Sequence, residues 1–106
     1  MSPLDKTITE KIRLTVCAID ADAEVYIYGS RARGEANDES DWDVMVITHK
    51  DVTPQLKQSI RHALYNIEWD NGCVISSIIH SREEWASPLM RLTPFYQNVT
   101  SQAVRI

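Results

Sequence analysis

Two aspartates, Asp41 and Asp43, stand at the mouth of an apolar run that continues to Thr48. A strand has a side-chain period of two, so both carboxylates project from one face. Like charges held that close resist joint ionisation, and a divalent cation between them removes the conflict. Mg²⁺ favours such carboxylate oxygens. Trp42, between the two, is expected to point to the opposite face and pack. Upstream, Gly29-Ser30 closes another short β-rich run. Glycine lets the backbone approach a ligand, and unpaired N–H groups at the start of a helical turn suit phosphate. The serine hydroxyl adds a further donor. Arg31 and Arg33 follow, and guanidinium groups match phosphate oxygens in bidentate geometry. This set describes a metal and polyphosphate site. Asp41 and Asp43 would hold the metal and carry the chemistry; Gly29, Ser30, Arg31 and Arg33 would bind the nucleotide.

Each signal is weak alone. An Asp-x-Asp pair before a strand also serves as a solvated acidic turn, and Gly-Ser is common turn chemistry. Arg31 and Arg33 can equally pair with Glu35 or Glu39. The residues by themselves leave both readings open. The conjunction favours a site, because strand, Gly-Ser, polar loop, paired aspartates and second strand put donors and metal ligands at the ends of neighbouring strands.

The elements that must position these residues follow from apolar spacing. Ser2-Pro3 reads as a helix start, and Leu4, Ile8, Ile12, Val16 and Ile19 recur at helical spacing. This helix is expected to end between Asp20 and Ala23. Glu24–Tyr28 (EVYIY) reads as the first strand, Ser30–Ser40 as a loop broken by Gly34 and Asn37 and opening with one helical turn, and Asp43–Thr48 (DVMVIT) as the second strand. Thr53-Pro54 opens a helix with Leu56, Ile60, Ala63, Leu64 and Ile67 on one stripe, stopped by Asn71-Gly72. Val74–His80 reads as the third strand. Ser81 and Glu84 form a capping box, and short helical pieces follow, the last begun by Thr93-Pro94. The order α-β-β-α-β-α predicts an α/β (α+β) fold, a small mixed sheet with helices packed on it, in a single domain over 1–106. The apolar tail from Pro88 to Ile106 can pack on the sheet or meet a partner.

Composition narrows the function classes. The 106 residues carry a formal net charge of −4, with 43% hydrophobic and 25% charged residues, which is ordinary for one globular domain. An acidic balance without a basic run argues against direct nucleic-acid binding. No apolar run approaches the length of a membrane span, and the start has no apolar signal segment, so a cytoplasmic protein is expected. Cys17 and Cys73 read as packed, reduced thiols. His49, His62 and His80 match no ligand spacing, and His62 falls opposite the apolar stripe of its helix. Trp69, Trp85 and Tyr65 are expected to pack the core, and Tyr26 or Tyr28 can flank a nucleotide.

The stretch Tyr28–Ile47 (YGSRARGEANDESDWDVMVI) resembles the DNA polymerase β-like nucleotidyltransferase superfamily, and specifically its minimal (MNT) branch. That branch has Gly-Ser, ten residues, then Asp-x-Asp; here Arg31 to Ser40 separate Gly29-Ser30 from Asp41-Trp42-Asp43 without a gap. The resemblance implies metal-dependent transfer of a nucleoside monophosphate from an NTP, with ATP foremost, to an acceptor hydroxyl. It implies two Mg²⁺ ions, with Mn²⁺ as a substitute, Asp41 and Asp43 as ligands, and Gly29 and Ser30 on the β- and γ-phosphates. The family also carries a third carboxylate on the next strand. The aligned position here is Ser76, which cannot replace a carboxylate base or a strong metal ligand; Glu68 and Asp70 are the nearest substitutes in the chain. In prokaryotes many MNT proteins resemble antitoxins paired with a HEPN-domain toxin, which implies a separate protein partner. The sequence thus leaves open an active enzyme or a catalytically weak, antitoxin-like binding module.

Overall fold

The computed structural model describes residues 3–35 and 40–106, with side chains from Lys6 onward. The Ser2 cap, the Leu4 side chain, the Asn37 breaker and any pairing by Glu39 lie outside the described residues. The elements are α1 (Pro3–Ile19), β1 (Glu24–Tyr28), β2 (Trp42–Thr48), α2 (Pro54–Asn71), β3 (Ile75–Ser81), α3 (Arg82–Ala86), α4 (Pro88–Arg91), α5 (Pro94–Gln102) and β4 (Val104–Arg105). The sheet order is β3-β2-β1-β4. The β1 strand runs antiparallel to β2 and β4, while β2 and β3 are parallel. A parallel pair needs a crossover, and α2 supplies it.

The predicted α/β class and its mixed sheet therefore hold, with local differences. The β2 ladder begins one residue early, at Trp42, because the Trp42 N–H donates to the Val74 carbonyl at 2.8 Å. The β3 strand runs one residue later than its apolar run. A two-residue β4 joins the outer edge of β1 at Tyr26 and Ile27. The tail thus packs on the sheet.

Helix ends follow their local chemistry. Thr53 accepts from the Leu56 N–H at 3.1 Å, and Gly72 closes α2 in the left-handed region (φ 62°). Ser81 and Glu84 complete a reciprocal capping box at α3. Ser87-Pro88 and Thr93-Pro94 repeat the same start at α4 and α5.

Two apolar layers flank the sheet. On one face Val25, Ile27, Trp42, Val44, Val46, Ile75 and Ile79 meet Ile8, Ile12 and Val16 of α1 and Ile60, Leu64 and Ile67 of α2. On the other, Met45 and Ile47 meet Val99 of α5, with Tyr26, Tyr28, Trp85 and Phe95 around them. The β2 strand is covered on both sides, which is why DVMVIT lacks polar alternation. Asp20 is 3% exposed. Its carboxylate accepts from the Asp22 N–H (3.1 Å) and the His49 N–H (2.9 Å), tying the end of α1 to the end of β2.

One expectation fails. Trp69 and Tyr65 do not pack the core; they are 73% and 49% exposed on the outside of α2. Ile60, Leu64 and Ile67 take the sheet side, and at about 100° per residue positions 65 and 69 turn away from it. Trp85 does pack, against Phe95 and Tyr96 and under His80. His62 and His49 are exposed, and both cysteines are free thiols. Among the described residues no helix is long and apolar enough to cross a membrane.

Glu24 links three elements. Its carboxylate accepts from Arg82 at 2.7 Å and from the Tyr26 hydroxyl at 2.9 Å, with Arg105 at 3.7 Å. The Arg82 hydrogen bond, reinforced by Tyr26, holds its pKa below the ordinary glutamate value despite the opposing effect of burial. A carboxyl that ionises more readily when folded contributes stability above its unfolded pKa, and loses it as pH falls through the folded value. Because the arginines are solvent-screened, about 1 kcal/mol is at stake. Glu24→Gln is expected to lower Tm at pH 7 by about 4–8 °C. In thermal denaturation followed by circular dichroism, the two proteins should converge once the pH falls below the folded-state pKa of Glu24, which itself lies under the ordinary glutamate value.

Candidate functional site

The site forms where β1 ends and β2 begins. Tyr28 pairs with Asp43 across the antiparallel ladder, and Asp43 pairs with Ser76 across the parallel one. Gly29 follows Tyr28 at φ 74°, a conformation open to glycine at little cost. A Cβ at Gly29 would collide with the Asp43 carboxylate, lying 3.2 Å from its Cγ. Glycine is therefore required twice, for its dihedral and for the carboxylate resting on its α-carbon.

The chain then makes a helical turn. Arg33, Gly34 and Glu35 donate their N–H groups to the carbonyls of Gly29, Arg31 and Ser30 at 3.1, 3.4 and 3.0 Å. Among the described residues, the Gly29 and Ser30 N–H groups donate to no backbone carbonyl outside the regular elements. The Ser30 hydroxyl likewise has no partner among them.

Asp41 is exposed and Asp43 is half-buried. Neither carboxylate accepts a hydrogen bond or ion pair from a described residue. Burial raises the Asp43 pKa first, the Asp41 charge raises it further, and Arg33 opposes both. The Tyr28 hydroxyl is raised by burial and by the Asp43 charge. The paired acids thus repel at a position that leaves their oxygens unsatisfied. Such oxygens suit Mg²⁺, which keeps several waters and is held by one or two carboxylates plus substrate phosphates.

The arginines differ from each other. Arg31 donates to the Ser40 carbonyl through Nε (3.2 Å) and Nη2 (2.8 Å), with its guanidinium 4.0 Å from the centre of the Trp42 ring. Trp42 is 1% exposed and on the helix-covered face, as its position between the aspartates requires. Arg31 therefore closes the loop from behind. Arg33 bonds Glu35 Oε2 at 3.0 Å and the Gln102 side-chain oxygen at 3.1 Å, within electrostatic reach of Asp43. Gln102 has no signal in the sequence, since it meets Arg33 only through the docking of α5.

Ser76 is exposed, directly across from Asp43 on β3. Glu68 and Asp70 do not replace it. Asp70 lines the groove between α1 and α2 with Lys11 and Leu14, and Glu68 acts on Cys73. Among the described residues no three His, Cys, Asp or Glu side chains gather to hold a metal. Among the described residues, the strand ends bring together the carboxylates of Asp41 and Asp43 and the hydroxyl of Ser76.

A family of nucleotidyltransferase domains matches residues 9–85, a span that contains Gly29, Ser30, Asp41, Asp43 and Ser76. No curated protein matches the chain significantly. Two solved structures are similar in fold. One is a toxin–antitoxin with AMP-PNP, at TM-score 0.63 and 16% identity over 91% of this chain and 69% of that one. Another, assigned as a nucleotidyltransferase from Sulfolobus solfataricus, has TM-score 0.52 and 20% identity over 93% and 76%.

The Gly29–Asp43 contact can be measured by a double-mutant cycle in urea unfolding. Gly29→Ala is expected to cost about 2–3 kcal/mol, the sum of a strained dihedral and the collision. In an Asp43→Ala background the same change should cost only about 1 kcal/mol, the dihedral alone. Equal costs in both backgrounds would show that the carboxylate does not rest on the glycine.

Proposed function

The chain belongs to the nucleotidyltransferase domain family, and from that premise we propose that it transfers a nucleoside monophosphate from ATP to an acceptor hydroxyl on a partner protein. The observation that carries the reading is the pair Asp41 and Asp43, two carboxylates without donors among the described residues, beside the Gly29-Ser30 turn. In this reading the Gly29 and Ser30 N–H groups and the Ser30 hydroxyl take the outer phosphates. Arg33 adds positive charge beside them, and Arg31 keeps the loop closed by its hold on Ser40 and Trp42. Asp41 and Asp43 would hold Mg²⁺, or Mn²⁺ in its place, which when bound offsets phosphate charge and orients the leaving pyrophosphate. The acceptor hydroxyl gives its proton to solvent as its oxygen bonds the α-phosphorus, and the bond from that phosphorus to the α–β bridging oxygen breaks to release pyrophosphate. With no covalent work for the protein, positioning supplies most of the rate.

The choice of ATP and of a protein acceptor draws support from the toxin–antitoxin neighbour bound to AMP-PNP. A HEPN-type toxin is the partner that the MNT resemblance implies, in a cytoplasmic setting. Ser76 favours a second reading. With a serine across from Asp43, the chain would bind its partner as an antitoxin-like module with little or no catalysis.

One experiment separates the two. The protein is incubated with Mg²⁺, α-labelled ATP and the protein encoded beside it. The enzyme reading expects label on that protein, reduced at least about 100-fold in Asp41→Asn/Asp43→Asn, and a faster reaction in Ser76→Asp. Absence of transfer with every NTP, together with intact partner binding by the double variant, would leave the binding module.

A further inference from the structure

The outer face of α2 carries a second feature that the nucleotide site does not use. Lys57, Arg61, Tyr65 and Trp69 recur every four residues, so their side chains form one ridge along the helix. Neither Lys57 nor Arg61 has an ion pair or hydrogen bond among the described residues. Tyr65 and Trp69 meet edge to face, with centroids 6.1 Å apart and planes at 85°. Beside the ridge runs an open groove lined by Val52, Pro54, Lys57, Gln58, Arg61 and Tyr65. An 18-residue helix therefore presents two unpaired cations, then two exposed aromatics, next to a groove with an apolar floor.

That order is self-complementary. Reversing a second copy of the helix about a two-fold axis at residue 63 sets position 57 against 69 and position 61 against 65. Each cation then lies on an aromatic of the other copy, and Gln58 lies opposite Glu68. Cations over Trp and Tyr faces attract, and an isologous contact repeats every such pair. Packing of i±4 ridges from both helices corresponds to a crossing near −50°.

We propose that two copies of this chain associate through α2, with Trp69 of each seated in the Val52–Pro54–Lys57–Arg61 groove of the other. The overall charge of −4 disfavours a nucleic-acid occupant for the same stripe. Trp and Tyr side chains bury about 150–250 Å² each when covered. Two pairs of them with their neighbours reach about 1,000 Å², the low end of specific interfaces, so the dimer is reversible and micromolar. Asp43 lies on the sheet face opposite α2. Association therefore leaves the nucleotide site open and does not depend on its assignment.

Sedimentation velocity of the full chain from about 1 to about 200 µM, the range expected for so small an interface, tests this. The mass should rise from 12.1 kDa toward twice that value. Arg61→Glu and Trp69→Ala should each weaken the dimer at least tenfold, with far-UV circular dichroism unchanged because both positions are exposed. Mixing Lys57→Ala chains with Trp69→Ala chains restores one cation–aromatic pair that each variant alone has lost twice, so the mixed dimer should be tighter than the geometric mean of the two homodimers. A natural chain that stays monomeric throughout overturns the proposal, as does a mixed dimer no tighter than that mean.

Discussion

The Asp43 carboxylate rests on the α-carbon of Gly29, and the geometry of the site descends from that contact. It excludes a side chain at position 29 and fixes the left-handed turn after β1. It also sets the end of β1 beside the start of β2, where the ladder pairs Tyr28 with Asp43. Every other site residue is placed relative to this junction. Ser30 opens the turn, Asp41 stands within electrostatic reach of Asp43, and Ser76 lies across the parallel ladder. The strand can hold this position because both its faces are buried, one under α1 and α2 and the other under α5.

At this junction a local rule is broken. Asp20 is buried with both oxygens bonded to backbone N–H groups, and Glu24 is held by Arg82 and Tyr26. Asp43 is half-buried, repelled by Asp41 and unbonded among the described residues. A carboxylate in that state destabilises the free protein. Departures of this kind concentrate at functional sites. Arg31 contributes from the other side of the strand, where its stacking on Trp42 and its bonds to Ser40 brace the loop.

Much of this was legible in the residues because it rests on short-range periodicity. The period of two sends Trp42 to the helix-covered face, away from its neighbour Asp43. The caps at Thr53, Ser81 and Thr93 each follow from a hydroxyl before a helix, and Ser87 repeats that chemistry. Ser76 was singled out by the family's third-carboxylate position, and the β2–β3 register sets it across from Asp43. What escaped reading depends on tertiary docking. Gln102 reaches Arg33 from 69 residues away, and β4 is a strand only because the tail lands on β1. Tyr65 and Trp69 show a different failure. Their residue type suggests a core, but the phase set by Ile60, Leu64 and Ile67 turns them outward.

The central claim is that Asp41 and Asp43 hold a divalent cation beside the Gly29-Ser30 turn. Paramagnetic broadening of backbone amide signals by Mn²⁺, with an unhydrolysable ATP analogue present, tests it most directly. The account predicts that Gly29, Ser30, Asp41, Trp42, Asp43 and Ser76 broaden first, and that Asp43→Asn abolishes the effect. Broadening centred elsewhere, or unchanged in Asp43→Asn, would contradict it.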